Sequence, residues 1–147
     1  MNLQLMYESC LKKQDGIKKK FFHLETPEEK YNLIMDLGKN QAKLDPSLKT
    51  EESLVKGCQS KMYLRSYLKD GLVYFETESD ALISAGLAVL LTEVYSGEKP
   101  EVILKCPPTY LEEIGITSSL SPSRSNGLAS LHLKMKQEAL RYIHKQA

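Results

Sequence analysis

The stretch Ser53–Leu64, with the sequence SLVKGCQSKMYL, predicts a strand, a tight loop and a second strand. Cys58 lies at the tip of the predicted loop, and Gly57 before it lets the backbone turn without a Cβ clash. Gln59 and Ser60 follow and can hydrogen-bond a bent loop. A thiol at a loop tip on a rigid scaffold is a common setting for a reactive cysteine. The alternative is that Cys58 only fills space, as a small buried hydrophobe.

The sequence after this loop predicts a hairpin. Residues 61–68 alternate between apolar and polar side chains, which is typical of a half-buried strand. Asp70-Gly71 is a strong hairpin signal, and residues 72–76 form the returning strand. Together with Leu54-Val55, these segments predict a three-stranded antiparallel meander that has the cysteine loop at one corner.

Helices are predicted on both sides of this sheet. A short helix is expected at residues 17–22. A second helix is expected to begin after the N-cap Thr26 and to end at Gly38, which would be a left-handed C-cap. Residues 81–95 are apolar almost all round and too few to span a bilayer, which needs about 20, so they predict the buried central helix. Further helices are expected at residues 100–104, at residues 107–114, and from a Ser121 cap with Pro122 in the first position.

The composition indicates one compact domain without a strong electrostatic preference. The chain has 147 residues, of which 41% are hydrophobic and 27% charged. The formal net charge of +1 gives no field that favours nucleic acid or a membrane surface. Met1–Glu8 lacks both a basic region and a long apolar run, so we expect no signal peptide and a cytoplasmic location.

The cysteines indicate reduced thiols. There are three of them, an odd number, and they are widely spaced, which argues against a disulfide framework. No Cys-x-x-Cys pair stands at ligand spacing, so we expect no closed zinc site and no other metal centre.

Four motifs carry a resemblance to a known family. They are Gly57-Cys58-Gln59-Ser60, Glu78-Ser79-Asp80-Ala81 before the apolar helix, Val94-Tyr95-Ser96-Gly97, and Leu120–Leu128 with the sequence LSPSRSNGL. In this order and spacing the chain resembles the SufE family, sulfur-acceptor proteins of iron–sulfur cluster assembly. The resemblance covers roughly residues 17–143, which implies a single domain over residues 1–147 with its core in that range. It also implies an α+β fold, a small three-stranded antiparallel sheet packed against several helices, similar to the iron–sulfur scaffold proteins.

The resemblance implies a carrier of sulfur and an activator of its donor, and not an enzyme in its own right. Cys58 would accept persulfide sulfur from a PLP-dependent cysteine desulfurase, stimulate that partner, and pass the sulfur to an iron–sulfur scaffold complex. The chain would hold no cofactor, since the PLP belongs to the desulfurase, and a homodimer is compatible with the family. The sequence departs from the family at Lys56 and Lys61, where smaller or amide residues are usual, and at Tyr63, where Trp is common.

Six residues make up the predicted site, with Cys58 as the persulfide acceptor. The residues Gly57, Gln59, Ser60, Asp80 and Arg124 would support the loop or bind the partner. Asp80 would cap its helix, a role that Ser79 could also fill, and hold the neighbouring loop. Arg124 opposes the dipole of the last helix, which suggests a specific partner group. The alternatives are an ordinary cap and an ordinary surface arginine.

Lys56 and Lys61 would favour the thiolate electrostatically, or they are simply solvated surface lysines. Cys10 and Cys106 match no motif, and Cys106 is interpreted as an incidental loop thiol. The three histidines are interpreted as satisfied surface residues on or near helices: His23, His132 and His144.

Three other functions remain open. A scaffold that binds the nascent iron–sulfur cluster would need several converging thiolates, whereas only Cys58 lies in a motif. A cysteine hydrolase would need a histidine base, and none lies in the matched motifs. A pure interaction module would not need Cys58 at all.

Overall fold

The computed structural model describes residues 3–146. The prediction that residues 1–8 are not a signal peptide therefore lies partly outside the described residues. The helices within that range are α1 Leu3–Met6, α2 Glu8–Phe21, α3 Pro27–Lys39, a 3₁₀ helix at Pro46–Leu48, α4 Leu82–Tyr95, α5 Pro100–Lys105, α6 Tyr110–Glu113, α7 Ile116–Ser119 and α8 Pro122–Gln146. The strands are β1 Met62–Lys69 and β2 Leu72–Ser79. The predicted α+β class is confirmed.

The two strands form an antiparallel hairpin, as the sequence predicts. Their register runs from Met62 opposite Ser79 to Lys69 opposite Leu72. Asp70 has a φ of 54° and Gly71 a φ of 80°. Two consecutive residues with positive φ are typical of the type I′ turn, whose twist matches that of the strands.

The predicted third strand is wrong. Leu54 makes one isolated antiparallel bridge with Tyr63, and the strand pairing goes no further within the described residues. The hydroxyl of Ser53 donates to the carbonyl of Leu48, which holds the preceding residues in a turn. On the other side Gly57 adopts a φ of 86°, which turns the chain away. The extended segment is therefore too short to form more than one bridge.

Helix α4 is the buried centre of the fold, as its all-round apolar sequence predicts. Nine of its residues are buried, and it contacts α2, α3, α8 and β2. No helix within residues 3–146 has both the length and the apolar character that crossing a membrane requires.

The contact between α3 and α4 is close enough to exclude a side chain at two glycines. A Cβ on Gly38 would collide with the carbonyl oxygen of Leu82, and one on Gly86 with the carbonyl oxygen of Ile34. The predicted C-cap at Gly38 is therefore wrong, since α3 continues to Lys39 and Asn40 is its C-cap. Gly38 instead allows the close packing of α3 against the first turn of α4.

Helix α2 is longer than predicted. The expected helix at residues 17–22 is the last part of an element that starts at Glu8. Its buried side chains are Cys10, Gln14, Ile17 and Phe21, spaced as one face of a helix. A glutamine and a cysteine in this face conceal the apolar periodicity in the sequence.

Candidate functional site

The loop that carries Cys58 is closed at its base by the bridge between Leu54 and Tyr63. The amide of Val55 donates to the carbonyl of Met62 over 2.8 Å. Gly57 has a positive φ, and a Cβ there would lie 2.6 Å from the hydroxyl of Ser130 on α8. The positive φ therefore favours glycine at this turn, and an added Cβ would also displace the Ser130 hydroxyl.

The sulfur of Cys58 rests between this loop and α8. The Cys58 side chain is half-buried, and its Sγ lies 3.3 Å from the Oγ of Ser60. A Cβ on Gly127 of α8 would come within 3.0 Å of that Sγ. The missing side chain at Gly127 thus leaves space in which the thiol sits against the helix backbone.

A small pocket of about 130 Å³ opens beside the thiol. Its floor is apolar and comes from α4 and α8, with Leu87 and Leu131 among the lining residues. Polar groups also line it: Cys58, Ser60, Ser84, Ser123 and Arg124. The pocket therefore combines a nucleophile, several hydroxyls and one guanidinium.

Asp80 holds the end of the Cys58 loop and does not cap α4. Its carboxylate accepts a hydrogen bond from the amide of Lys61 over 3.0 Å, and its own amide donates to the Lys61 carbonyl. The N-cap of α4 is Ala81, and no side chain caps the first turn. The predicted capping roles of Asp80 and Ser79 are wrong, whereas the predicted contact with the neighbouring loop is present.

Arg124 and Gln59 are exposed beside the thiol. Arg124 lies in the first turn of α8, where its amide donates to the hydroxyl of Ser121 over 3.4 Å. Both Arg124 and Gln59 line the pocket that contains Cys58. The described residues contain no carboxylate paired with the guanidinium of Arg124, so it is available to a group from outside.

Lys56 and Lys61 flank the loop with exposed side chains, and neither lines the pocket. This exposure favours their interpretation as solvated surface lysines, because an exposed ammonium group is strongly screened.

Three residues near the thiol were not predicted from the sequence. The sequence assigns no role to Gly127, although it belongs to the LSPSRSNGL motif, and suggests only a capping role for Ser79. Ser84 breaks an otherwise apolar helix in its first turn, and its Oγ lies 2.9 Å from that of Ser60. A hydroxyl in the first turn of an apolar helix that follows a motif is the signal that could have identified it.

The other two thiols lie in the core. Cys10 is 0% and Cys106 2% exposed. Cys106 follows α5 as its C-cap, so it is a loop thiol, but a buried one. Burial raises the pKa of both thiols above the ordinary value. The amide nitrogen of Gln14 lies 3.8 Å from the Cys10 Sγ and 3.7 Å from the Cys106 Sγ. Cys58 is the half-buried thiol, and within residues 3–146 no group of three or more potential metal ligands converges.

His132 is not the satisfied surface histidine that the sequence suggested. Its ring stacks on Tyr95 with centroids 5.4 Å apart, and its buried Nε2 has no hydrogen-bond partner in the described part of the chain. Burial, aided by the charge of Lys136, lowers the pKa of His132 from 6.5 to about 4. His23 and His144 are exposed.

The depressed pKa of His132 predicts an acid-sensitive fold. Between pH 6.5 and 4 the unfolded chain binds a proton at this ring and the folded chain does not, so stability falls as the pH falls through that window. From pH 7 to pH 5 the loss should be about 2 kcal/mol from this group. Urea titrations at both pH values should show a smaller loss for His132→Phe, which keeps an aromatic ring against Tyr95. An equal loss in both proteins would contradict this account.

The fold and the site define an α+β protein with one half-buried loop thiol beside a small pocket. A sequence model of SufE, described as an Fe–S metabolism associated domain, matches residues 15–139. The chain therefore belongs to the SufE family, which links it to iron–sulfur metabolism.

Individual relatives agree with this assignment. The chloroplastic/mitochondrial SufE-like protein 1 of Arabidopsis thaliana is 37% identical over 87% of this chain, which spans only 35% of that relative. An uncharacterized SufE-like protein of Rhizobium meliloti is 33% identical over 85% of this chain and 93% of its own length. The solution structure of a hypothetical protein from Thermus thermophilus matches with a TM-score of 0.74 at 22% identity, over 90% of this chain and 96% of that one. This last likeness supports the fold alone.

Proposed function

We propose that this chain accepts sulfur on Cys58 from a PLP-dependent cysteine desulfurase, stimulates that enzyme, and passes the sulfur to an iron–sulfur scaffold complex. The observation that carries the proposal is the position of the Cys58 sulfur, half-buried in a loop beside a pocket, whereas Cys10 and Cys106 are enclosed in the core. A carrier needs a thiol that a partner can reach and that is partly shielded between transfers, because exposed persulfides are readily oxidised.

The transfer is a thiol exchange without net oxidation. The Cys58 thiolate attacks the outer sulfur of the desulfurase persulfide, R–S–SH. The new bond forms between the Cys58 sulfur and that outer sulfur, while the sulfur–sulfur bond of the donor breaks. The products are Cys58–S–SH and the thiolate R–S⁻, and the proton lost from Cys58 goes to solvent.

The test of this proposal is to locate the transferred sulfur. The purified chain is incubated with a cysteine desulfurase, PLP and cysteine, and the cysteine peptides are then analysed by mass spectrometry. We expect one added sulfur, on the Cys58 peptide, with the Cys10 and Cys106 peptides unchanged because both thiols are buried. A persulfide on Cys10 or Cys106, or none on Cys58 with an active desulfurase, would reject the proposal.

We further propose that the surface around Cys58 docks the desulfurase. The exposed side chains of Asp80 and Arg124 flank the loop, one before α4 and the other at the start of α8. A recessed active site on the partner requires the loop to move outward, and charged groups on both sides of the loop would guide that approach.

Asp80→Arg and Arg124→Ala should therefore change desulfurase binding or stimulation with little loss of stability, about 1 kcal/mol or less. Asp80→Asn separates the two roles of Asp80, since it removes the charge but keeps an oxygen for the Lys61 amide. Lys105→Ala, an exposed change on α5, is the control. Calorimetric binding, desulfurase turnover and thermal melts are measured for each variant. Unchanged binding and turnover in both Asp80→Arg and Arg124→Ala would contradict the proposal that this surface docks the desulfurase.

The remaining parts of the proposal concern partners. We propose that the chain keeps no metal or organic cofactor, binds neither nucleic acid nor membrane, and can form a homodimer.

The alternative of a cluster scaffold is disfavoured because the Cys58 sulfur and the two core thiols do not form one site. A hydrolase is disfavoured because His132 stacks on Tyr95, at the end of α4 opposite to Ser84 and the thiol. The cytoplasmic location stays a prediction.

A further inference from the structure

Three serine hydroxyls form a cluster directly behind the thiol. The Oγ of Ser60 is central, at 3.3 Å from the Cys58 Sγ, 2.9 Å from the Ser84 Oγ and 3.4 Å from the Ser79 Oγ. These residues come from three places in the chain: the cysteine loop, the end of β2 and the first turn of α4. Ser79 is itself fixed, since the amide of Ala81 donates to its Oγ over 3.3 Å.

A hydroxyl can satisfy either protonation state of a neighbouring sulfur, because it is both donor and acceptor and its hydrogen rotates freely. When Cys58 is a thiol, its S–H can donate to Ser60, and Ser60 donates to Ser84. When the sulfur is ionised, Ser60 can turn its hydrogen towards the sulfur, and the hydroxyl of Ser79 then donates to the Ser60 oxygen. The change requires no movement of heavy atoms.

In the described part of the chain, no charged side chain hydrogen-bonds the Cys58 sulfur. Arg124 lines the same pocket from α8, Lys56 and Lys61 flank the loop with exposed side chains, and the carboxylate of Asp80 accepts from the Lys61 amide. The hydrogen-bond partner of the sulfur itself in the described residues is Ser60.

We propose that Ser60, supported by Ser84 and Ser79, is a positioning residue that stabilises the ionised form of the Cys58 sulfur and holds it at its resting place. This inference rests on the proposed function, since it explains how the acceptor thiolate is supplied. The proton that Cys58 releases goes to solvent, and the hydroxyls only reorient.

The test is the pH dependence of Cys58 alkylation by iodoacetamide, followed by mass spectrometry of the Cys58 peptide in the full chain. Ser60→Ala should move the pH midpoint upward by about half a unit to one unit, because the thiolate loses its donor. Ser84→Ala should move it in the same direction by less. Ser60→Thr keeps a hydroxyl and should restore the midpoint, a rescue that a role in packing alone would not give.

Ser66→Ala is the matched control. Its hydroxyl lies 3.0 Å from that of Tyr142, so the variant loses a similar half-buried hydrogen bond away from the thiol and should keep the original midpoint. Unchanged midpoints in both Ser60→Ala and Ser84→Ala would overturn the inference, as would a shift in Ser60→Ala that Ser60→Thr does not reverse. Because Ser60 lies in a loop, its variants remain informative even if Ser84→Ala fails to fold.

Sulfur acceptance is measured separately on the same variants. Normal acceptance by the parent chain with no midpoint shift in the variants would reject the serine cluster and leave the proposed function intact. A midpoint shift in a chain that accepts no sulfur would support the serine cluster and reject the proposed function.

Discussion

If the chain is the sulfur acceptor proposed above, Cys58→Ser is expected to abolish sulfur acceptance completely while the chain still folds and still binds the desulfurase. Serine is nearly the same size as cysteine and lacks the sulfur that must form the new bond. The side chain is half-buried in a loop, so the exchange should change the free energy of unfolding by less than about 1 kcal/mol. The measurements are the mass of the chain after incubation with desulfurase and cysteine, calorimetric binding, and a thermal melt.

The controls are Cys10→Ser and Cys106→Ser. Both should still accept sulfur, although each places a hydroxyl in the core beside Gln14 and should lower stability. Full sulfur acceptance by Cys58→Ser would show that another thiol carries the sulfur and would contradict the role proposed for Cys58.

Gly86→Ala is expected to destabilise the fold by about 3 kcal/mol or more, which is large for the addition of one methyl group. The new Cβ would collide with the carbonyl oxygen of Ile34, a backbone atom that cannot move unless α3 separates from α4. Gly38→Ala should have a comparable effect from the opposite helix, since its Cβ would meet the carbonyl of Leu82. Urea denaturation of both variants measures the loss.

Gly16→Ala is the matched control for the helix contact. Gly16 is exposed on α2, and no atom lies within 4 Å of the position of an added Cβ. Alanine is the better helix former, so this variant should gain about 0.5–1 kcal/mol. If Gly86→Ala kept the stability of the parent chain, the two helices could not be in backbone contact at this point.

Local signals in the sequence determined the elements that were predicted correctly. Asp70-Gly71 predicts the hairpin because few residues adopt two successive positive φ angles. The all-round apolar run at residues 81–95 predicts the buried helix because no face of it can be exposed to water.

The errors occurred where a contact distant in sequence decides the structure. Gly38 looks like a helix end, but its role depends on the backbone of Leu82, 44 positions later. Gln14 looks like a surface residue, but its amide donates to the carbonyl of Pro107 over 3.0 Å and is therefore compatible with the buried face of α2.

The candidate site was only partly predictable for the same reason. The motifs identified Cys58 and its neighbours Gly57, Gln59 and Ser60, which are adjacent in sequence. Sequence alone does not show that the Oγ of Ser84 lies 2.9 Å from that of Ser60. It also does not show that Gly127 lacks a side chain where the sulfur needs space.

The few hydrogen bonds that hold the Cys58 loop against the rest of the fold determine the population of molecules in which the loop is open. Within the described chain, the hydrogen bonds that tie residues 56–60 to other elements run through one hydroxyl, that of Ser60, to Ser84 and Ser79. Each contributes about 1 kcal/mol net, so with the partial burial of Cys58 the release costs roughly 2–4 kcal/mol. Global unfolding of a domain typically costs about 5–15 kcal/mol. Roughly one molecule in thirty to one in a thousand would then present an open loop at any moment, while the hairpin stays paired.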